Sequence, residues 1–405
     1  MTVVIANQRG IALVVTLLVV ALLTITVIEF TYSVQIDQHM AHNALSGLQA
    51  SLLARSGINL GEAFLLHDAD YTVDAFTEEW CPDPGTDGHS CRIDDANGQV
   101  LLPPNMRLKV RIVDEGGKLN LNLVRFQNVN EWNRWRSTRD ADPKTRQGMP
   151  VELWRSAFEQ LLANQGLNPT IADQVLEYWD AVFQARFPSV NPGGAVPTQP
   201  VAPQGAQQQV DVNANAQLQA LEFASLDDAA VIPGLVPSVI RKLRPVLTAL
   251  PSTQQPRVNA NTAPLAVLRA IVGDDDAVNN LVSQRTQMPL KPADLVTLTR
   301  GLNAPGATSV NYAPRMLGVV SSFFQVRASG VVNPNPMTGR GGISRSATML
   351  VRRVRRTAPA GSNASAVPWT LTQLDWQKEG GAALFQPQAD QEPGTDEQTQ
   401  PGPQG

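Results

Sequence analysis

The chain has 405 residues, enough for two or more domains, with few aromatics (5%) and many Pro (30) and Gly (29). Its formal charge is 32 − 36 = −4. A protein that grips nucleic-acid phosphates shows a basic excess or stripe, so no nucleic acid is expected as a partner.

A short polar leader ends Asn7-Gln8-Arg9-Gly10, and the apolar run Ile11 to Ile28 follows, broken only by Thr16, Thr24 and Thr26. About 20 apolar residues cross a bilayer core as a helix, and a threonine there can bond back to a carbonyl one turn earlier. Arg9 precedes the run and the next basic residue is Arg55. The positive-inside rule therefore puts the leader in the cytoplasm and the rest beyond the membrane. Thr24 to Ser33 holds bulky Ile, Val, Phe and Tyr rather than a small-x-small cleavage site, so the run is expected to stay in the mature chain. A plain signal anchor would show the same run.

From Glu29 to Leu66 there is no Pro, and apolar residues recur at Ile36, Met40, Ala44, Leu48 and Leu52, with Leu45, Leu60 and Phe64 nearby. That spacing marks one helix face. One long helix is expected, softened at Gly47, Gly57 and Gly61 by up to about 1 kcal/mol each relative to Ala. A membrane helix followed by an unrelated soluble helix is the alternative.

The leader ending in Gly10 with an apolar helix directly after it resembles the prepilin signal. The resemblance implies a cut by prepilin peptidase between Gly10 and Ile11 and methylation of the new N-terminus at Ile11. Most pilins have Glu at the fifth mature position, which here is Val15. The K-type minor pseudopilins of type II secretion systems typically lack that Glu, so Val15 points to this branch.

Cys81 and Cys91 flank Pro-Asp-Pro-Gly-Thr-Asp-Gly-His-Ser, a stretch of turn formers whose ends can meet. A disulfide would close this loop and stabilise by about 2–3 kcal/mol on the chain-entropy model, and would imply an oxidising compartment. Two unrelated free thiols are the alternative. A zinc site lacks a second ligand pair.

Met106 to Val113 alternates apolar and basic as a half-buried strand does, Asp114-Glu115-Gly116-Gly117 reads as a turn, and Lys118 to Leu123 alternates again. The expected element is a β-hairpin with Asn120 and Asn122 on its polar face. This Asp-Glu-x-Gly-Lys-Leu-Asn-Leu-Asn pattern also resembles a signature of the K-type pseudopilins.

Residues 125–318 read as helical. Helices are expected over Pro150–Ala163 and Thr170–Gln184, with a flexible linker at 188–210 rich in Pro, Gly and Gln. A short helix, a Pro233-Gly234 turn and a helix from Ser238 to Leu247 follow. Asn261 or Thr262 can cap the next helix, with Pro264 in its first turn, and Asp294 to Leu298 is a further short helix. A Pro-Gly turn before Asn259-Ala-Asn-Thr-Ala resembles the helical insert of the same family. The turn also resembles helix-hairpin-helix modules, with Arg241, Lys242 and Arg244 available to phosphate, but acids stand close by.

Some relatives hold calcium, which needs six to eight oxygen ligands. Their acidic, Tyr-bearing stretch is replaced here by the linker, so no cofactor is expected. Asp274, Asp275 and Asp276 form a weak candidate cluster, better read as a solvated turn.

Ser322–Val332, Ile343–Val354 and Trp369–Trp376 read as strands, and the basic run Arg352-Arg353-Val354-Arg355-Arg356 as a solvated strand end. From about Gln386 little can be buried, and disorder is expected. The four His form no zincin pattern, and neither a phosphate loop nor a Gly-x-Ser-x-Gly elbow occurs. An enzyme is not expected.

The expected organisation is α+β: a leader (1–10), a long helix (11–66), a pilin-like domain from 67–124 and 319–380, a helical insert (125–318) between sheet strands, and a disordered tail (381–405). The resemblance implies a single-pass protein of the bacterial inner membrane with its bulk in the periplasm. It would sit at the tip of a short filament with minor pseudopilins I and J, near other pseudopilins. A minor pilin of a type IV pilus, or a membrane-anchored DNA-binding protein, are the alternatives.

Overall fold

In a computed structural model, the described residues are 9–68, 70, 72–85, 90–94, 100–139, 146, 148–187, 221–299, 313–333, 342–355 and 369–379. The expected leader before Arg9, the linker 188–210 and the tail 381–405 lie outside them.

Residues Arg9–His67 form one unbroken helix of 59 residues, α1, about 90 Å long at 1.5 Å per residue. The absence of Pro permits this length. Its C-terminal part lies on a sheet. The strands, in chain order, are β1 (Ser90–Asp94), β2 (Met106–Asp114), β3 (Leu119–Asn120), β4 (Leu247–Thr248), β5 (Val258–Asn259), β6 (Leu317–Gly318), β7 (Phe323–Val332), β8 (Ile343–Arg355) and β9 (Trp369–Glu379). Five of them make an antiparallel sheet in the order β1-β2-β7-β8-β9. β2 and β7 are neighbours although the whole insert lies between them in sequence.

Alternation decides the inner face. Leu108, Val110 and Ile112 of β2 and Phe324, Val326 and Ala328 of β7 pack against Ala54, Ile58 and Leu65 of α1. The helix glycines have a role that sequence periodicity does not reveal. A Cβ on Gly61 would lie 2.5 Å from Val326 Cγ1, and one on Gly57 2.8 Å from Ala328 Cβ. From the sheet side, a Cβ on Gly330 would lie 2.5 Å from the Ala50 carbonyl oxygen. Close approach of helix and sheet is what these positions provide.

The insert carries α2 (Val129–Ser137), α3 (Pro150–Asn164), α4 (Ile171–Arg186), α5 (Pro237–Leu243), α6 (Leu265–Val272), α7 (Asp275–Gln287), α8 (Pro292–Leu298) and α9 (Ala313–Met316). Its separate core is built on Phe126, Trp132, Trp135, Phe158, Trp179 and Phe183. Pro150 starts α3 at a position where its missing N–H costs nothing.

Four expectations are corrected. Residues 118–123 do not return beside β2. β3 pairs in parallel with β4 of the insert, and β2 pairs with β1 and β7. Asn261 and Thr262 do not cap α6, whose N-cap is Pro264. Asp274 to Asp276 are solvated as expected but start a helix rather than form a turn: Asp274 caps α7 by accepting from Ala277 N at 2.8 Å. Arg353 is not at a solvated strand end but fully buried.

Candidate functional site

The first surface of interest is the part of α1 ahead of the sheet. Every described side chain from Leu13 to Leu45 is exposed, Leu, Val, Ile and Phe included. Burial against the body begins at Ser46. Leu13 to Leu45 is 45 − 13 + 1 = 33 residues, about 50 Å, whereas a bilayer core is about 30 Å. This is a helix long and apolar enough to cross a membrane, with about 20 Å left as a stalk. Thr16, Thr24 and Thr26 donate to the carbonyls of Leu13, Val20 and Leu22 at 2.8–2.9 Å, so no hydroxyl of these three is left for the surroundings to satisfy. Gly10 and Ile11 lie in the first turn of α1. Val15 is 54% exposed and offers no acceptor.

The second feature is a buried polar joint between sheet and insert. Asp114, at the end of β2, is its centre. Its Oδ2 accepts from Thr262 Oγ1 (2.5 Å), Ser321 Oγ (2.6 Å) and Asn259 Nδ2 (3.0 Å), and its Oδ1 from Gly116 N (2.8 Å). Burial pushes this carboxyl above the usual range while the donors hold it down. Asn259 Nδ2 also reaches Asp74 O at 2.9 Å. The neighbouring Asn residues extend the joint. Asn120 accepts from Leu250 N and donates to Leu250 O, both at 3.0 Å. Asn122 accepts from Phe223 N and donates to Phe223 O, both at 3.0 Å. The Asp-Glu-x-Gly-Lys-Leu-Asn-Leu-Asn segment thus crosses from sheet to insert, and its polar side chains serve loops over a hundred residues away rather than an exposed hairpin face.

The third feature closes the end of α1. Arg353 of β8 pairs with Asp68 at 2.7 Å and with Asp74, and its guanidinium lies 4.7 Å from the Phe324 ring centroid. Glu78 stands in the same acidic group. Its Oε2 accepts from Ala75 N (2.8 Å) and Trp80 Nε1 (3.1 Å), and burial raises it to about 7. Asp68, Asp74 and Glu78 could offer oxygens to a metal ion, but Arg353 already supplies the cation there. Asp274, Asp275 and Asp276 do not fit calcium either: Asp274 caps α7, and Asp275 pairs with Arg269 at 3.0 Å.

No protein-family model matches the chain, and no curated protein does. It is similar to a chain in the crystal structure of the GspK-GspI-GspJ complex of the type 2 secretion system of enterotoxigenic Escherichia coli, at 15% identity and a TM-score of 0.49, covering 84% of this chain and all of that one.

At that level of similarity no function is transferred. Among the remaining expected residues, Cys81 and Cys91 are free thiols, both buried and within hydrogen-bond reach of each other. The structure thus places the two sulfurs side by side, as the expected disulfide requires. Arg244 is held by Asp227 at 2.6 Å, and Pro233-Gly234 joins a 3-10 turn, Leu226–Val231, to the 7-residue α5. Arg241 and Lys242 are exposed on α5, so of the three basic residues offered to phosphate only Arg244 is engaged by an acid. Sequence patterns missed β1, α7 and Arg353; for Arg353 the only signal was a basic residue inside an otherwise alternating strand.

Proposed function

We propose that this chain is a membrane-anchored structural subunit, a K-type minor pseudopilin of a type II secretion system, and not an enzyme. The observation that carries the reading is the division of α1: 33 exposed residues, 45 − 13 + 1, apolar through Ile28, continue without a break into a helix seated on an antiparallel sheet. Such a helix can hold the chain in the inner membrane and afterwards pack beside other apolar helices in a filament. The leader and Val15, which resemble the family's processing signal and its exception, support the subtype.

In this reading prepilin peptidase cuts after Gly10, and the chain sits at the filament tip with minor pseudopilins I and J, its bulk in the periplasm. The insert supports that place, because its bulk would obstruct subunits stacked above it. Val15 supports it too, since it cannot pair with the amine of a following subunit. The test is deletion of the gene, scored for export of folded substrates across the outer membrane, together with purification of the tagged chain from detergent-solubilised inner membranes. Lost export and recovery of pseudopilins I and J are expected. Intact export with neither partner recovered would overturn the reading.

A further inference from the structure

Five basic residues share the face of the sheet turned away from α1. Leu108, Val110 and Ile112 of β2 and Phe324, Val326 and Ala328 of β7 pack toward the helix. Alternation therefore puts Arg107, Lys109, Arg111 and Arg327 on the other side. Arg92 of β1 joins them, because Arg92, Arg111 and Arg327 stand directly opposite one another across three adjacent strands. Like charges in that position destabilise a sheet. Two acids lie close: Asp83 pairs with Arg92 at 3.1 Å, and Asp94 is in register with Lys109. These residues together still carry an excess of 5 − 2 = 3 positive charges. Lys109 is exposed and the four arginines are half-buried.

We propose that this face is a docking surface for the chain's own acidic C-terminal segment, residues 380–405. That segment carries Asp390, Glu392, Asp396 and Glu397 and no Lys or Arg. Its starting point is in line with the basic face. Glu379, the last residue of β9, is in register with Ser346 of β8, Ser346 with Ser329 of β7, and Ser329 with Lys109 of β2. Three strand-to-strand steps of about 4.8 Å make the separation about 14 Å. Asp390 follows Glu379 by 390 − 379 = 11 residues, a reach of up to about 36 Å. The four acids can therefore lie over the arginine row with chain to spare.

Tethering makes weak charge pairs sufficient. A segment joined to the sheet meets it at an effective concentration near millimolar, where the same peptide free in solution would not stay bound. The pairs form at the surface, so salt screens them. Lipid phosphates are a poorer match for this face. It runs lengthwise along α1, beyond a stalk of about 20 Å, and so does not lie against headgroups. The same segment of a second copy offers equal charge but lacks the tether. The inference goes beyond the anchor reading and does not depend on it.

The experiment treats the full chain, in detergent, with a carbodiimide, which joins a lysine amine to a touching carboxylate with loss of water. The joined peptides are mapped by mass spectrometry. Lys242 and Lys291, exposed on the insert, are the references. At low salt, Lys109 is expected to join the four acids of 380–405 on the order of 10-fold more than either reference. In about 1 M salt the excess should vanish. Equal joining of the three lysines at low salt would overturn the proposal. Arg111→Gln with Arg327→Gln relieves a like-charge pair, so folding is not at risk. It should cut the Lys109 joins several-fold, and undiminished joining would overturn the role of the arginine row. In a mixture of isotope-labelled and unlabelled chains the joins should stay within one chain, and mixed joins would give the face to a second copy instead. In phosphatidylglycerol vesicles the joins should persist as in phosphatidylcholine, and their loss would give the face to lipid.

Discussion

The two halves of α1 have one backbone and opposite surroundings. From Leu13 to Leu45 every side chain stands exposed, and through Ile28 the exposed surface is apolar all round except for three threonines. Beyond Ser46 the helix presents Ala50, Ala54, Gly57, Ile58 and Gly61 to the sheet and places larger residues such as Leu48 and Leu52 outward. The first half is matched to a solvent of lipid or of other helices, the second to a single sheet at short range. A substitution should therefore act on location in the first half and on folding in the second.

The largest expected effect tests the anchoring of the second half. Arg353→Leu leaves Asp68 and Asp74 buried without their cation and should cost about 3–5 kcal/mol in denaturant unfolding at neutral pH. The loss should shrink toward pH 4, where the freed carboxyls take up protons. Gly61→Leu must displace Val326 and should cost about 2–3 kcal/mol in the same assay. Asn259→Ala removes one donor from Asp114 and the tie to Asp74. About 2 kcal/mol is expected, with loosened contact between sheet and insert visible as faster amide exchange near β5.

Glu78 gives a smaller, pH-dependent effect. Its folded pKa, about 7, lies above the ordinary value of 4.5. The folded chain holds this proton more tightly, so the stability it contributes is present below about pH 4.5 and lost as pH rises through about 7. Glu78→Gln should remove that loss, stabilising by about 1–2 kcal/mol at pH 8 and flattening the profile from pH 4.5 to 7. Smallest of all, Leu18→Ala in the exposed half should change unfolding of the body by no more than about 0.5 kcal/mol. A large effect there would show that the apolar half packs on the body, contrary to the division of α1.

Local pattern reached the parts of the fold whose period matches their surroundings. β2, β7 and β8 alternate because one face meets α1, and α3 and α4 carry apolar residues at helical spacing because one side meets the insert core. It failed where a residue answers to something distant. Asn120 and Asn122 look like polar positions of a hairpin, yet Leu250 and Phe223 are their partners. Thr262 looks like a helix cap and instead binds Asp114. Gly57 and Gly61 look like weak points of a helix until the sheet is laid against them. β1, only 5 residues long at a sheet edge, has too short a pattern to stand out from the turn formers before it. Of the candidate surface, the apolar run and Val15 were legible as sequence, because neither depends on a tertiary partner.

The most direct test of the central claim is the N-terminus of the chain isolated from cells with and without prepilin peptidase, read by intact mass and N-terminal peptide sequencing. A start at Ile11 that depends on the peptidase, with a methylated amine, is expected if the exposed half of α1 is a processed, pilin-type anchor. A chain still beginning at Met1, or one cut beyond the apolar run, would contradict it.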